Sequence, residues 1–265
     1  MPDRPLLHLE ENDIDVWLAY YGEMDDDALL ARQHALLDDA ERRQQARFHF
    51  ADDRKRYLVT RAMVRTVLSH YVPLAPADWL FGENAYGRPH IANAASLAAG
   101  LSFNISHTRG LIALAVGRRR ELGVDVENVA AREVSLGVAQ HFFSPQEVAE
   151  LESVAPARRQ DRFFEYWTFK ESYIKARGMG LSLPLDKFSF RFPHEGAVQL
   201  AIDPEMGDDA GRWQFWQYRP GQEHLLALCA ERRGGRPGAV TMRRTIPTLG
   251  YETVAPVLLK SSDRI

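Results

Sequence analysis

The chain has 265 residues, 45% hydrophobic and 26% charged, with 36 acidic against 33 basic side chains and a formal net charge of −3. That balance is ordinary for a globular enzyme and excludes disordered, collagen-like and coiled-coil chains, while the length allows one large domain or two halves of roughly 130 residues. Net acidity disfavours a nucleic-acid coat, no apolar run approaches the ~18 residues of a membrane span, and Met1–Asp13 lacks the apolar stretch of a secretory leader, so a cytoplasmic protein is expected.

In chain order, the β-branched and aromatic run Ile14–Tyr21 predicts a first strand. Helical spacing follows over Asp27–Leu37 and Asp38–Phe48, then over a longer segment capped by Asp52 or Asp53 and ending near Ser69. Strand-like runs come next at Trp79–Gly82, Leu101–Ile105, Leu111–Val116 and Gly123–Val126, with Gly117–Glu121 as the turn of a hairpin joining the last two. Helices resume at Ser135–Phe143. Ser144-Pro145-Gln146-Glu147 combines an N-cap, a proline at the first helical position and a capping-box glutamate. A long helix over Ala157–Arg177 stops at Gly178 and Gly180. Strands return at Phe188–Phe192, Ala197–Ile202, Arg212–Tyr218 and His224–Ala230, with a Pro220-Gly221 turn between the last two. Arg232–Pro237 is turn-like, and the remaining residues are expected to form a peripheral strand and tail. The lone Cys229 lies in an apolar run, reads as a small buried hydrophobe and fits a reducing compartment.

Four segments could carry chemistry. In Gly123-Val124-Asp125-Val126-Glu127, alternation puts both carboxylates on one strand face and both valines on the other. The pair is either a solvated strand end or two hard oxygen ligands of the kind Mg²⁺ takes. Glu171 and Lys175 are four apart on the long helix, with Trp167 one turn earlier, which describes either a surface ion pair or a metal ligand beside a phosphate clamp. Ser106-His107 ends a strand, where His107 can donate to phosphate, act as a base or cap a turn. No Gly-x-Ser-x-Gly elbow surrounds Ser106. The basic series Arg42, Arg43, Arg47, Arg54, Lys55, Arg56, Arg61 and Arg65 is either a solvated face or a phosphate-binding one; Arg54, Arg61 and Arg65 share one stripe and Arg56 lies on another side. Neither the P-loop nor the dinucleotide glycine fingerprint is present, and the six histidines other than His49, His90 and His107 lack metal-ligand spacing.

In order and spacing, Tyr86-Gly87-Arg88-Pro89, Phe103-Asn104-Ile105-Ser106-His107, Gly123 to Glu127, Phe142-Phe143-Ser144, Trp167 to Lys175 and Gly178 to Leu185 resemble one family, the 4′-phosphopantetheinyl transferases of the surfactin-synthetase type. The similarity covers Asp38 to Ala230. It implies an α+β fold of two similar halves forming a pseudo-dimer, here residues 1–127 and 128–233 with an extension over 234–265, and it implies coenzyme A and Mg²⁺ in the cleft between them. The implied reaction moves phosphopantetheine from coenzyme A to a serine of an apo acyl or peptidyl carrier protein. By the same resemblance Asp125, Glu127 and Glu171 are the metal ligands, Lys175 meets the pyrophosphate, and His107 and Arg56 meet the 3′-phosphate. Gly87, Arg88, Pro89 and Ser106 line the adenine side. Glu171, directly or through a bound water, is the expected base, with Glu127 or bulk water as alternatives. Two departures stand out: Arg88 replaces the lysine of the usual Gly-Lys-Pro, and Arg42, Arg43 and Arg47 stand in shifted positions where the family often has lysines. A long chain carrying both halves is expected to act as a monomer.

Overall fold

The computed structural model describes residues 5–94, 100–131, 133–234 and 238–264. Part of the Arg232–Pro237 turn therefore lies outside the described residues. The first half runs β1 (Ile14–Ala19), α1 (Asp27–His34), α2 (Asp39–Ala46), α3 (Ala51–Leu68), the short strands β2 (Phe81–Glu83) and β3 (Pro89–Ile91), then β4 (Leu101–Thr108) and β5 (Leu111–Arg118). The chain continues through β6 (Leu122–Asn128), α4 (Leu136–Phe142), α5 (Pro145–Ser153), α6 (Pro156–Arg177), β7 (Phe188–Arg191), β8 (Gln199–Ile202), β9 (Trp213–Arg219) and β10 (His224–Glu231). It ends with β11 (Val240–Ile246), β12 (Gly250–Val254) and β13 (Val257–Ser261).

Two large sheets result, ordered β12-β11-β1-β5-β4 and β13-β9-β10-β6, beside the two-stranded pairs β2-β3 and β7-β8. Each large sheet lays one face on its own long helix. Val59, Met63 and Val67 of α3 pack with Trp17, Ile112, Leu114 and Val116. Phe169 and Tyr173 of α6 pack with Phe215, Leu225, Ala227 and Cys229. The opposite faces meet each other: Val16, Leu111, Ala113 and Ala115 against Val124, Val126, Leu226 and Leu228. Successive side chains of β5 and β10 thus enter different cores, which is why both read as continuous apolar runs rather than alternating ones. The molecule is the expected α+β pair of halves, stacked helix–sheet–sheet–helix.

The seam between the halves has its own chemistry. Alternate side chains of the edge strand β4 accept the free N–H groups along β6: Asn104 Oδ1 from Val124 (2.9 Å), Ser106 Oγ from Val126 (3.3 Å) and Thr108 Oγ1 from Asn128 (3.0 Å). Polar residues at a two-residue spacing here replace a backbone ladder and leave no buried edge donor unpaired at those positions.

Four expectations need correction. The expected boundary between residues 127 and 128 falls inside β6, which pairs with β10 in the second sheet and so goes with the second half from about Glu121 on. Leu111–Val116 and Gly123–Val126 do not form a hairpin: β5 pairs with β1 and β4, whereas β6 pairs with β10. The residues between them, with Arg119 at φ 47°, carry the chain from one sheet to the other. The residues after Arg232 are no peripheral tail. β11 runs parallel beside β1 and extends the first sheet with β12, and β13 then forms an edge of the second. Finally, α3 starts at Ala51 behind an uncapped Phe50, so Asp52 and Asp53 occupy its first turn. There they complement the positive end of the helix dipole rather than capping it. The capping box of Ser144 and Glu147 forms as the sequence indicates.

Candidate active site

Gly123 sets how closely the strand bearing the acids approaches α6. A Cβ there would lie 2.1 Å from the Ser172 carbonyl oxygen and 2.4 Å from the Ala176 nitrogen, so only glycine admits this strand–helix distance. Two residues on, Asp125 is buried at the seam. Its Oδ1 accepts from Ser106 Oγ of β4 at 3.0 Å and from Lys175 Nζ of α6 at 2.6 Å. Lys175 also donates to Ser106 Oγ at 2.8 Å. One cluster therefore joins three elements from both halves. Lys175 turns to Asp125 and Ser106, although its spacing from Glu171 suggested a pair within the helix.

Glu127 follows on the same strand face. Trp167 Nε1 donates to its Oε1 at 3.1 Å, and the indole is itself stacked on Phe163, with ring centroids 5.9 Å apart. Glu171 lies one turn beyond Trp167. Burial first, and then the neighbouring Asp125 charge, push its carboxyl up to about 7, with Lys175 opposing. His107, next to Ser106, is an exposed residue but is held below its usual range by desolvation among the surrounding atoms and then by the positive charge of Arg56. Arg56 is fixed to Asp53 at 2.8 Å. The positive charges of Arg56 and Lys175 both act on His107, and the three acids lie on β6 and α6.

The other early-helix arginines do different work. Arg61 and Arg65 both bind buried Glu41, at 2.5 and 2.9 Å, tying α3 to α2, and Arg65 also donates to the Trp79 carbonyl at 2.8 Å. Arg54 donates to the carbonyls of Phe48 and His49. The Arg54–Arg61–Arg65 stripe is therefore committed to holding the helices together, and Arg56, on its other side, is the member whose charge reaches His107.

Gly87 occupies the β2–β3 turn at φ 80°, with open space where a side chain would stand. Pro89 opens β3. Arg88 points back into the protein: Nη1 donates to Glu121 Oε2 (2.9 Å) and the Ala176 carbonyl (2.9 Å), and Nη2 to the Leu122 carbonyl (3.0 Å). Asn84, which sequence reasoning missed, donates to the Gly178 carbonyl at 2.9 Å while its Oδ1 accepts from the nitrogens of Tyr86 and Arg88. An asparagine two residues before Tyr-Gly is an Asx-turn signal that could have marked it.

Asp125 Oδ2 is buried and has no hydrogen-bond partner. Together with the charge-strained Glu171 carboxyl and nearby Glu127, it makes an all-oxygen donor set with charge to spare, which fits a hard divalent cation completed by water and phosphate. Among the described residues no three such side chains already close on one point; Lys175 is the cation that meets Asp125 here.

Comparison with known proteins agrees with this arrangement. The model of the 4′-phosphopantetheinyl transferase superfamily matches residues 121–229, and that of the 4′-phosphopantetheinyl transferase N-terminal region matches residues 26–118. The chain is 35% identical over 192 residues to a 4′-phosphopantetheinyl transferase of Bacillus subtilis, covering 72% of this chain and 81% of the relative. It is 33% identical to the transferase Sfp of Bacillus subtilis strain 168, covering 69% and 77%. To the transferase HetI of Nostoc sp. it is 30% identical, covering 89% and 95%. With both halves matched and the acids, Lys175 and Ser106 gathered where those halves meet, the chain belongs to the 4′-phosphopantetheinyl transferase superfamily.

Proposed function

We propose that this chain transfers the 4′-phosphopantetheine group of coenzyme A to a serine hydroxyl of an apo acyl or peptidyl carrier protein and releases adenosine 3′,5′-bisphosphate. The observation that carries the proposal is the seam cluster: Asp125, with one oxygen unpartnered, linked to Ser106 and Lys175 beside the raised carboxyl of Glu171. Such a site is short of positive charge and open to a polyanion that brings a cation with it.

The serine oxygen forms a bond to the β-phosphorus, and the bond from that phosphorus to the bridging oxygen breaks, so the bisphosphate leaves with the electron pair. Phosphoryl-type transfer asks the protein for alignment and charge neutralisation more than for covalent help. Lys175 supplies a fixed ammonium for the pyrophosphate, pre-oriented by Ser106. Glu171, directly or through a bound water, takes the serine proton. Arg56 and His107 face the 3′-phosphate, the guanidinium as a permanent charge and the imidazole as a hydrogen-bond donor. Asp125, Glu127 and Glu171 would hold a Mg²⁺ ion, which would supply charge neutralisation for the pyrophosphate. Both halves of the cleft come from one chain, and a cytoplasmic monomer is part of this reading.

Intact-mass measurement of an apo carrier protein incubated with the chain, coenzyme A and Mg²⁺ tests it. Gain of the phosphopantetheine mass is the expected result. If carriers of the acyl and peptidyl types both stay unmodified, the proposal fails; bisphosphate release without carrier would instead indicate a hydrolase.

A further inference from the structure

The β2–β3 turn belongs to the first half, yet its two polar side chains end on the second. Arg88 reaches the Leu122 carbonyl at the start of β6, Glu121 just before it, and the Ala176 carbonyl in the last turn of α6. Asn84 reaches the Gly178 carbonyl, where α6 ends in a left-handed cap at φ 65°. Leu122 lies three residues before Asp125, and Ala176 follows Lys175 directly. The turn therefore grips the strand and the helix that carry the two partners of the 2.6 Å Lys175–Asp125 contact.

The chemistry of the grip is specific. The carbonyls at a helix C-terminus carry partial negative charge, which a guanidinium offsets. One planar fork spreads two nitrogens over three acceptors at fixed angles, whereas an ammonium would have to meet the same three from a single nitrogen. A Cβ on Gly178 would stand 2.9 Å from Arg88 Nη1, so the helix end is shaped for the guanidinium as well as for the left-handed turn. Arg88 is mostly buried and its Nη1 and Nη2 are occupied by protein acceptors.

We propose that Arg88, with Asn84, is a positioning residue: it latches the first half onto the ends of β6 and α6 and thereby sets Lys175 relative to Asp125 and Ser106. The inference rests on the transferase reading. Its effect on the reaction passes through Lys175, and a double-mutant cycle isolates that dependence from general loss of stability.

The experiment compares wild type, Arg88→Lys, Asn84→Ala, Lys175→Ala and Arg88→Lys/Lys175→Ala by carrier-modification kinetics and by calorimetric binding of coenzyme A. In the latch, Arg88→Lys lowers kcat by on the order of 10- to 100-fold, as expected for an ångström-scale misplacement, and leaves the KM for carrier within about threefold. Asn84→Ala gives a smaller loss in the same direction. On the Lys175→Ala background, Arg88→Lys costs little more, and the coenzyme A affinities follow the same non-additive pattern without turnover. The inference is overturned if Arg88→Lys and Asn84→Ala both turn over within about threefold of wild type, or if the Arg88→Lys loss is undiminished when Lys175 is absent. Should Arg88→Lys not fold, the same cycle run with Asn84→Ala decides. Wild-type activity tests the transferase reading separately, because the latch is read from ratios to wild type and from binding.

Discussion

Substituting Gly123 by alanine adds a single methyl group at the closest strand–helix contact near the site. That methyl would stand 2.1 Å from the Ser172 carbonyl oxygen, 2.4 Å from the Ala176 nitrogen and 3.0 Å from the Lys175 carbonyl carbon, all of them backbone atoms. Ordinary contact begins near 3.4 Å, so β6 and α6 must part by on the order of 1 Å, since close-packed backbone cannot absorb the overlap. Overpacking of this kind costs about 1–3 kcal/mol, which for a chain of this size lowers the thermal midpoint by roughly 2–12 °C. The same displacement lengthens the 2.6 Å contact of Lys175 with Asp125, the 2.8 Å contact with Ser106 and the 3.1 Å bond from Trp167 to Glu127. A misplacement of about 1 Å is worth on the order of 10²-fold in rate, or about 2.7 kcal/mol of barrier. Initial rates of carrier mass gain, read beside a calorimetric melt, measure both effects. Gly137→Ala is the control, because among the described residues its added methyl would meet, beyond its own helix backbone, Ser135 Oγ alone within 4 Å, at 3.8 Å; inside α4 it should leave the melt unchanged or raise it slightly. Wild-type rate and melting in Gly123→Ala would refute the argument that this contact sets the site.

Other expectations concern the acids and the core. Asp125→Ala should abolish transfer, and a chelator should stop the wild-type reaction; near-normal carrier modification in either case would reject Asp125 as a metal ligand. Because the Glu171 carboxyl sits at about 7, it is about half protonated at neutral pH in the metal-free chain. Mg²⁺ binding requires the deprotonated form and should therefore release roughly half a proton at pH 7 and almost none at pH 8.5. Calorimetry in buffers of different ionisation enthalpy measures this, and a heat independent of buffer at pH 7 contradicts it. In the second core, Lys170 Nζ donates to Glu147 (2.8 Å) and to the carbonyls of Leu185 and Phe188 (2.7 Å each), with both charged side chains fully buried. Lys170→Met strands the carboxylate and should cost about 3–5 kcal/mol in denaturant unfolding. Lys170→Met/Glu147→Met should recover part of that loss, and a single-variant cost below ~1 kcal/mol would sink the account.

Much of the site was legible because local rules place it. Strand alternation put Asp125 and Glu127 on one face, and helical spacing put Trp167, Glu171 and Lys175 on another, before any tertiary contact was known. The capping box at Ser144, the glycine stop after Arg177 and the β9–β10 hairpin were equally local. The failures share one cause. Whether β5 pairs with β6, and whether β11 joins β1 from more than two hundred residues away, depends on long-range register that no short window encodes. The same holds for the arginines. Spacing showed a stripe, but only the position of buried Glu41 committed Arg61 and Arg65 to structure, leaving Arg56 to act on His107.

The sequence by itself determined the helices and most of the central strands, the family and the chemical kinds of group available, because periodicity, caps and motif order are properties of the linear chain. It did not show β3 or the three strands after Gly238. Tertiary structure alone decided that β4 and β6 meet edge to edge through side chains and that Lys175 turns from Glu171 to Asp125. It also decided that Arg88 spends its guanidinium on the ends of β6 and α6. These outcomes turn on angles and distances between segments remote in sequence, where the desolvation of a buried charge selects whichever partner the packing brings within reach.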